Sequence, residues 1–302
     1  MQQQLIPTQN VTLAMRFLDQ PTSWSTTGRV AEITLSSSTP ATLSDCRALT
    51  KTFADLETSH SIEIVLQPEN LYREHRHPGL AVFDMDSTLI QQEVIDELAR
   101  SVGCYDQVAA ITESAMRGEL DFEQSLKARV KLLKGVPTSI WETLRTSGTI
   151  TFTPGAADLI SALKNAGWKC AVLSGGFTPL ANWVKETLGL DYAFANFLQE
   201  DVGAGVLTGE LVEGKPIVHG EKKKELLLSL AEENGMERVR VVAVGDGSND
   251  LPMMGVAGLG IAFNAKPKVQ ERAPIRLNSA TLRDVLFVLG YGEEEIKGLL
   301  KK

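Results

Sequence analysis

The sequence predicts an α/β protein: a Rossmann-like parallel sheet with helices on both faces, a helical cap inserted after the first core strand, and a small α+β domain ahead of it. Three observations carry this. Residues 80–83, 170–173 and 239–244 are short, mostly apolar, β-rich runs, as expected of strands buried on both faces of a parallel sheet. Each gives way abruptly to polar residues and glycine: Asp84, then Ser174-Gly175-Gly176, then Gly245-Asp246-Gly247. Open α/β sheets hold their ligands at the carboxyl ends of the strands, so three strand ends deliver polar groups to one rim.

Along the chain, the first 77 residues have a different rhythm. Val11, Leu13, Met15 and Phe17 alternate with polar or small residues and predict a strand, as do Ala31, Ile33 and Leu35. Leu43, Cys46, Leu49, Phe53 and Leu56 recur at helical spacing. Ile62, Ile64 and Leu66 predict a third strand, giving a roughly β-β-α-β order, which resembles a truncated βαββαβ module in that residues 18–28 are too few for a first helix. Residues 68–78 are polar, end in Pro78 and lead into Gly79; they read as a linker. The main domain is then 78–302. Within it, residues 94–150 are mostly helical: Val94, Ile95, Leu98, Ala99 and Val102 form one apolar face, and Leu126, Val130 and Leu133 form another. A helical insert directly behind a catalytic strand suits a lid.

Composition narrows the partners. The chain has 302 residues, 43% hydrophobic and 23% charged, enough apolar material for a large core. Its net charge is -8 and its sequence pI about 5.2, which disfavours nucleic acid and anionic membranes. No run of eighteen apolar residues predicts a membrane span, and the N-terminal stretch MQQQLIPTQN lacks a basic segment followed by an apolar one, so a cytoplasmic location is expected. Cys46, Cys104 and Cys170 have no metal-ligand spacing and read as free thiols; the sequon at Asn10 reads as chance. His60, His75, His77 and His219 form no His-x-x-x-His and no triad with a serine. The four tryptophans, Trp24, Trp141, Trp168 and Trp183, read as packing residues.

The chemistry concentrates at the strand ends. In extended backbone, residues two apart point the same way, so Asp84 and Asp86 share one small volume. Close carboxylates repel unless a cation or a proton joins them, and Asp246 arrives from another strand. Oxygen ligands without nearby Cys or His favour a hard cation, Mg²⁺ first. Ser174-Gly175-Gly176 is either a simple strand-to-helix turn or an anion cradle of backbone amides and one hydroxyl. The run from Gly245 to Asp250 superficially matches Gly-x-Gly-x-x-Gly, but Asp250 in the last position would repel a pyrophosphate, and no P-loop motif is present. Among Lys222, Lys223 and Lys224, one lysine is needed as a fixed cation and the others read as a solvated helix start.

This set, in this order, resembles the haloacid dehalogenase superfamily: Asp-x-Asp-x-[Thr/Val], then Ser or Thr, then Lys, then Gly-Asp-x-x-x-Asp. Residues 82–88, 113–122, 173–177, 244–252 and 263–269 look like the phosphoserine phosphatase family within it, and the tail 289–291 looks like its eukaryotic, fungal-type members. The resemblance implies a Mg²⁺-dependent hydrolysis of O-phospho-L-serine through an aspartyl-phosphate, in serine biosynthesis. It implies Asp84 as nucleophile and Asp86 as general acid and base. Asp84, the Asp86 carbonyl and Asp246 would hold the metal, with Asp250 in support. Ser174, Gly175, Asn249 and, by the family's spacing, Lys223 would hold the phosphoryl group. Glu93 matches the family's ammonium-binding acid and Arg129 its carboxylate-binding arginine. The expected partner is the small-molecule substrate, with a homodimer left open. Two alternatives stand beside this: another small-molecule phosphatase of the superfamily, and a non-catalytic phospho-ligand sensor, against which the intact Asp84 and Asp86 argue.

Overall fold

The computed structural model describes residues 13–18, 29–35 and 41–301. Strands β1 (Leu13–Phe17) and β2 (Ala31–Leu35) pair antiparallel, with Leu13 opposite Leu35. Val11, Trp24, the sequon at Asn10 and most of the loop between the two strands lie outside the described residues. The predicted helix over 43–56 is divided into Leu43–Thr50, a tight turn at Lys51–Phe53, and Ala54–His60. Thr42 and Asp45 cap its start reciprocally.

Two expectations are corrected. Residues 62–66 form no strand. Side chains tie this segment down instead of a backbone ladder: Glu57 accepts from the Ile64 amide at 2.8 Å, and Glu63 accepts from the Asn278 amide at 2.7 Å. Nor is 68–78 an open linker. It contains the helix Glu69–Glu74, started by Pro68, with Leu71 buried. Gln67 donates to the Val288 carbonyl at 2.7 Å, and the Arg76 guanidinium lies 4.5 Å over the Tyr291 ring.

His75, at the end of that helix, is fully buried, and neither ring nitrogen has a full hydrogen-bond partner. Burial pushes its pKa down to about 4, against a weaker opposing pull from the Val239 backbone and Glu74. The folded chain therefore holds His75 neutral where the unfolded chain protonates it, so stability is complete above pH ~6.5 and is lost as the pH falls toward ~4. Between about pH 7.5 and about pH 5 the loss is about 2 kcal/mol. Urea titrations of wild type and His75→Leu check this: the variant's stability should fall less over that interval, and parallel falls would remove His75 as the cause.

The main sheet is six-stranded, in the order β10-β9-β8-β3-β4-β5. Its strands are β3 (Leu80–Phe83), β4 (Lys169–Phe177), β5 (Tyr192–Asn196), β8 (Val241–Gly245), β9 (Leu259–Phe263) and β10 (Ile275–Leu277); β6 (Leu198–Asp201) and β7 (Val206–Leu211) form a separate hairpin. All pairings in the main sheet are parallel. Successive residues serve opposite faces: Ala81 and Phe83 pack with Leu159, Leu163 and Leu180, while Leu80 and Val82 pack with Leu227, Leu230 and Met254. That double burial explains why these strands read as continuous apolar runs. From β3 the chain winds outward one way to β4 and β5, then returns to build β8, β9 and β10 on the other side. The switch point lies beside β3, where such sheets open a crevice.

The cap comprises helices Val94–Ser101, Tyr105–Met116, Phe122–Lys131 and Ile140–Thr146. Val94, Ile95, Leu98 and Ala99 are buried as the pattern predicts, whereas Val102, just past the helix end, is 39% exposed. The hairpin grips the cap: the Gly135 amide donates to Leu207 and the Leu207 amide to Val136, both at 2.8 Å. Trp141, Trp168 and Trp183 are packing residues, Trp141 beside the Phe177 ring, Trp168 in the core and Trp183 stacked on Phe152.

Candidate active site

β3 and β8 are in register, Phe83 opposite Val244, and the Asp84 amide extends the ladder by donating to the Val244 carbonyl at 2.9 Å. Asp84 and Asp246 thus leave adjacent strands side by side. The chain then bends sharply: Asp86 stays extended and Ser87 takes φ +54°, a left-handed conformation unusual for a residue with a Cβ. The bend is held by the Ser87 amide on the Gln92 carbonyl at 3.3 Å and by the Ser87 hydroxyl on Glu93 at 2.7 Å.

Of the three lysines, Lys222 pairs with Glu225 and Lys224 with Glu221 on the surface. Lys223 is fully buried, 2.7 Å from Asp84 Oδ1 and 2.7 Å from Asp250 Oδ1. Burial opposes its charge, but Asp250 and Asp84 outweigh this and raise its pKa, so it is an ammonium. Carboxylate oxygens of Asp84, Asp246 and Asp250 lie within 4.8 Å of one another. Three carboxylates against one ammonium leave two negative charges, the deficit that one divalent ion fills. Burial, then Asp84 and Glu93, push the Asp246 carboxyl up to about 7. The Asp86 side chain stands outside this group; of its atoms, the family resemblance implies only the backbone carbonyl as a ligand. A Cβ on Gly245 would lie 2.3 Å from Asp250 Oδ2, so glycine is required for Asp250 to reach Lys223.

Asp86 Oδ1 is buried without a partner. Burial first, then Glu93 and Asp84, drive this carboxyl well above the usual range, with Lys223 opposing. Glu93 is exposed to the cleft yet ringed by protein, which raises its pKa, while the Ser87 hydroxyl draws it back. Arg129 is half-buried; burial lowers its pKa and Asp96, Glu93 and Asp86 favour its charge. From the same helix, Phe122 reaches the rim: a Cβ on Gly175 would meet its ring at 3.2 Å. Ser174 is fully buried and accepts from the Gly176 amide at 2.8 Å. Asn249 folds back over Gly247. Asn196, at the end of β5, went unread in the sequence. It is buried and hydrogen-bonded to Gly175 and Val218; the signal was one more strand, residues 192–196, ending in a polar residue at this same rim.

A separate cavity of about 260 Å³, lined by Arg47, Lys51, Pro267 and Arg276 among others, lies between the N-terminal helices and the β10 side, away from these groups. Titratable side chains converge at the rim, and the candidate site is there.

The family model for haloacid dehalogenase-like hydrolases matches residues 81–255. A probable phosphoserine phosphatase of Schizosaccharomyces pombe is 50% identical over 222 residues, covering 74% of this chain and 73% of the relative. The Haemophilus influenzae phosphoserine phosphatase is 47% identical over 238 residues, covering 78% and 74%. A solved phospho-aspartyl intermediate analogue of phosphoserine phosphatase superposes with TM-score 0.64 at 44% identity, over 70% of this chain and 99% of that one. The chain belongs to the haloacid dehalogenase-like hydrolases and, within them, to the phosphoserine phosphatase family.

Proposed function

We propose that the chain hydrolyses O-phospho-L-serine to L-serine and phosphate, with Asp84 as nucleophile and Mg²⁺ as cofactor, in the serine-forming step of a cytoplasmic pathway. The observation that carries the reading is the convergence of Asp84, Asp246, Asp250 and Lys223 beneath a cap helix bearing Phe122 and Arg129. The experiment that tests it is phosphate release from a panel of phosphorylated metabolites, with and without Mg²⁺. Phosphoserine should lead the panel; another metabolite well ahead of it would overturn the substrate assignment.

Asp84, Asp246 and the Asp86 carbonyl would hold the Mg²⁺, with Asp250 supporting them through Lys223. When bound, the ion supplies the positive charge that lets a carboxylate and a phosphate approach each other. The Asp84 carboxylate attacks phosphorus while the P–O bond to the serine oxygen breaks. Asp86, whose burial favours its protonated form, gives its proton to that departing oxygen. The resulting carboxylate then takes a proton from water, whose oxygen attacks phosphorus, releasing phosphate and restoring Asp84. Ser174, the Gly175 amide, Lys223 and Asn249 hold the phosphoryl oxygens. Glu93 receives the substrate's ammonium and Arg129 its carboxylate. The described residues ahead of β3 would play a structural or dimerising role beside this catalytic unit.

Asp246→Asn removes one charge from a hard-cation site, so the Mg²⁺ concentration for half-maximal rate should rise at least tenfold and EDTA should silence the wild type. Activity that survives EDTA and dialysis would contradict the metal assignment.

A further inference from the structure

We propose that Asn196 is a positioning residue that fixes the phosphate-binding bulge of β4 and sets the Ser174 hydroxyl as a donor toward the phosphoryl group. The inference rests on the phosphatase reading and extends it to a side chain that does not itself touch substrate.

The bulge is visible in the strand register. Leu173 pairs with Phe194, and the next pair is Phe177 with Asn196. Between them β4 advances four residues and β5 only two, so β4 must shed two residues outward, within Ser174-Gly175-Gly176. A bulge this large loses its ladder hydrogen bonds and needs another restraint. Asn196 supplies it. Its Nδ2 donates to the Gly175 carbonyl at 2.8 Å, and its Oδ1 accepts from the Val218 amide at 2.8 Å. An amide N–H can only donate and a carbonyl can only accept, so these two partners fix the orientation of the Asn196 side chain. Asn196 is itself 1% exposed, and the Thr178 hydroxyl donates to its carbonyl at 3.0 Å.

The consequence reaches Ser174 through one peptide plane. The Gly175 carbonyl and the Gly176 amide belong to the same rigid unit. Asn196 holds its oxygen end, and its N–H end donates to Ser174 Oγ at 2.8 Å. With the hydroxyl accepting from inside the protein, its own proton is the part left for a ligand oxygen. The chain of bonds runs in one direction, from Val218 through Asn196 and the 175–176 peptide to Ser174. Val218 lies just ahead of the helix Gly220–Glu233, which carries Lys223. Asn196 therefore also ties the bulge to the segment that leads to the buried ammonium.

The test uses the full chain with Mg²⁺ and two inhibitor probes, inorganic phosphate and L-serine. Asn196→Asp keeps the acceptor for Val218 but sets a second acceptor against the Gly175 carbonyl; Asn196→Ala removes both bonds. Each variant should weaken inhibition by phosphate at least ~10-fold, lower kcat by a similar factor, and leave inhibition by L-serine within about twofold. Combined with Ser174→Ala, the losses in phosphate affinity should be strongly less than additive, because both changes act on one plane. A merely structural role would weaken both probes together and add to Ser174→Ala, and either result overturns the proposal. If Asn196→Asp does not accumulate as folded protein, Asn196→Ala carries the same comparison, and unchanged phosphate inhibition in it overturns the proposal. A wild type that releases no phosphate from phosphoserine contradicts the phosphatase reading itself, and this inference falls with it.

Discussion

Asp84→Asn is expected to abolish turnover and leave the fold intact. Asp84 Oδ1 accepts from the Met85 amide at 2.6 Å and meets Lys223 at 2.7 Å, and an asparagine oxygen can keep accepting at that position. The amide cannot attack phosphorus, so the covalent route closes. The rate should fall by at least ~10⁴-fold, the scale seen when a nucleophile is removed from a group of residues that acts as a unit. Phosphate release by a folded Asp84→Asn protein within about tenfold of wild type would end the covalent assignment. Thermal unfolding of the same sample establishes that it is folded.

Lys223→Met should have the second largest effect, on activity and stability together. The Lys223 side chain is fully buried between Asp84 and Asp250. Removing the ammonium leaves buried carboxylates uncompensated, which costs about 3–5 kcal/mol. The nucleophile would also lose the ammonium that holds it at 2.7 Å, and the phosphoryl group its fixed cation. The expected outcome is a Tm lower by roughly 10 °C and kcat lower by about 10²–10³-fold, read by calorimetry and phosphate release. A variant with the wild-type Tm would mean that the three groups do not act as one charged unit.

Much of this site could be read in the sequence because its residues sit at the ends of buried strands. Parallel strands buried on both faces leave continuous apolar runs, and the polar residues that follow stand out against them. Asp84, Ser174 and Asp246 were found that way. Asn196 was not, because its strand, Tyr-Ala-Phe-Ala-Asn, is half-buried and carries no marker of chemistry until its pairing with β4 is known. The choice among Lys222, Lys223 and Lys224 could not come from composition either. The helix turns about 100° per residue, so only one of three neighbours can face the core, and which one depends on docking against β3 and β8. The N-terminal region misled for a related reason. Ile62, Ile64 and Leu66 alternate as a strand does, but Glu57 and Glu63 supply the hydrogen bonds that a ladder would have made. His75 reads as linker polarity and is in fact core, since burial of a lone histidine leaves no periodic trace.

The phosphate machinery is common to many substrates, so the choice of phosphoserine turns on Glu93 and Arg129. Phosphoserine offers an ammonium and a carboxylate to them; phosphoethanolamine offers only the ammonium and would leave Arg129 without its anion. Sites built on such pairing reject an analogue that lacks one group by up to roughly 10⁴–10⁵-fold. The direct measurement is kcat/KM for both compounds, in wild type and in Arg129→Ala. Wild type should prefer phosphoserine by at least ~10²-fold, and that preference should collapse toward unity in Arg129→Ala through loss on phosphoserine alone. Similar kcat/KM values for the two compounds in wild type would contradict it.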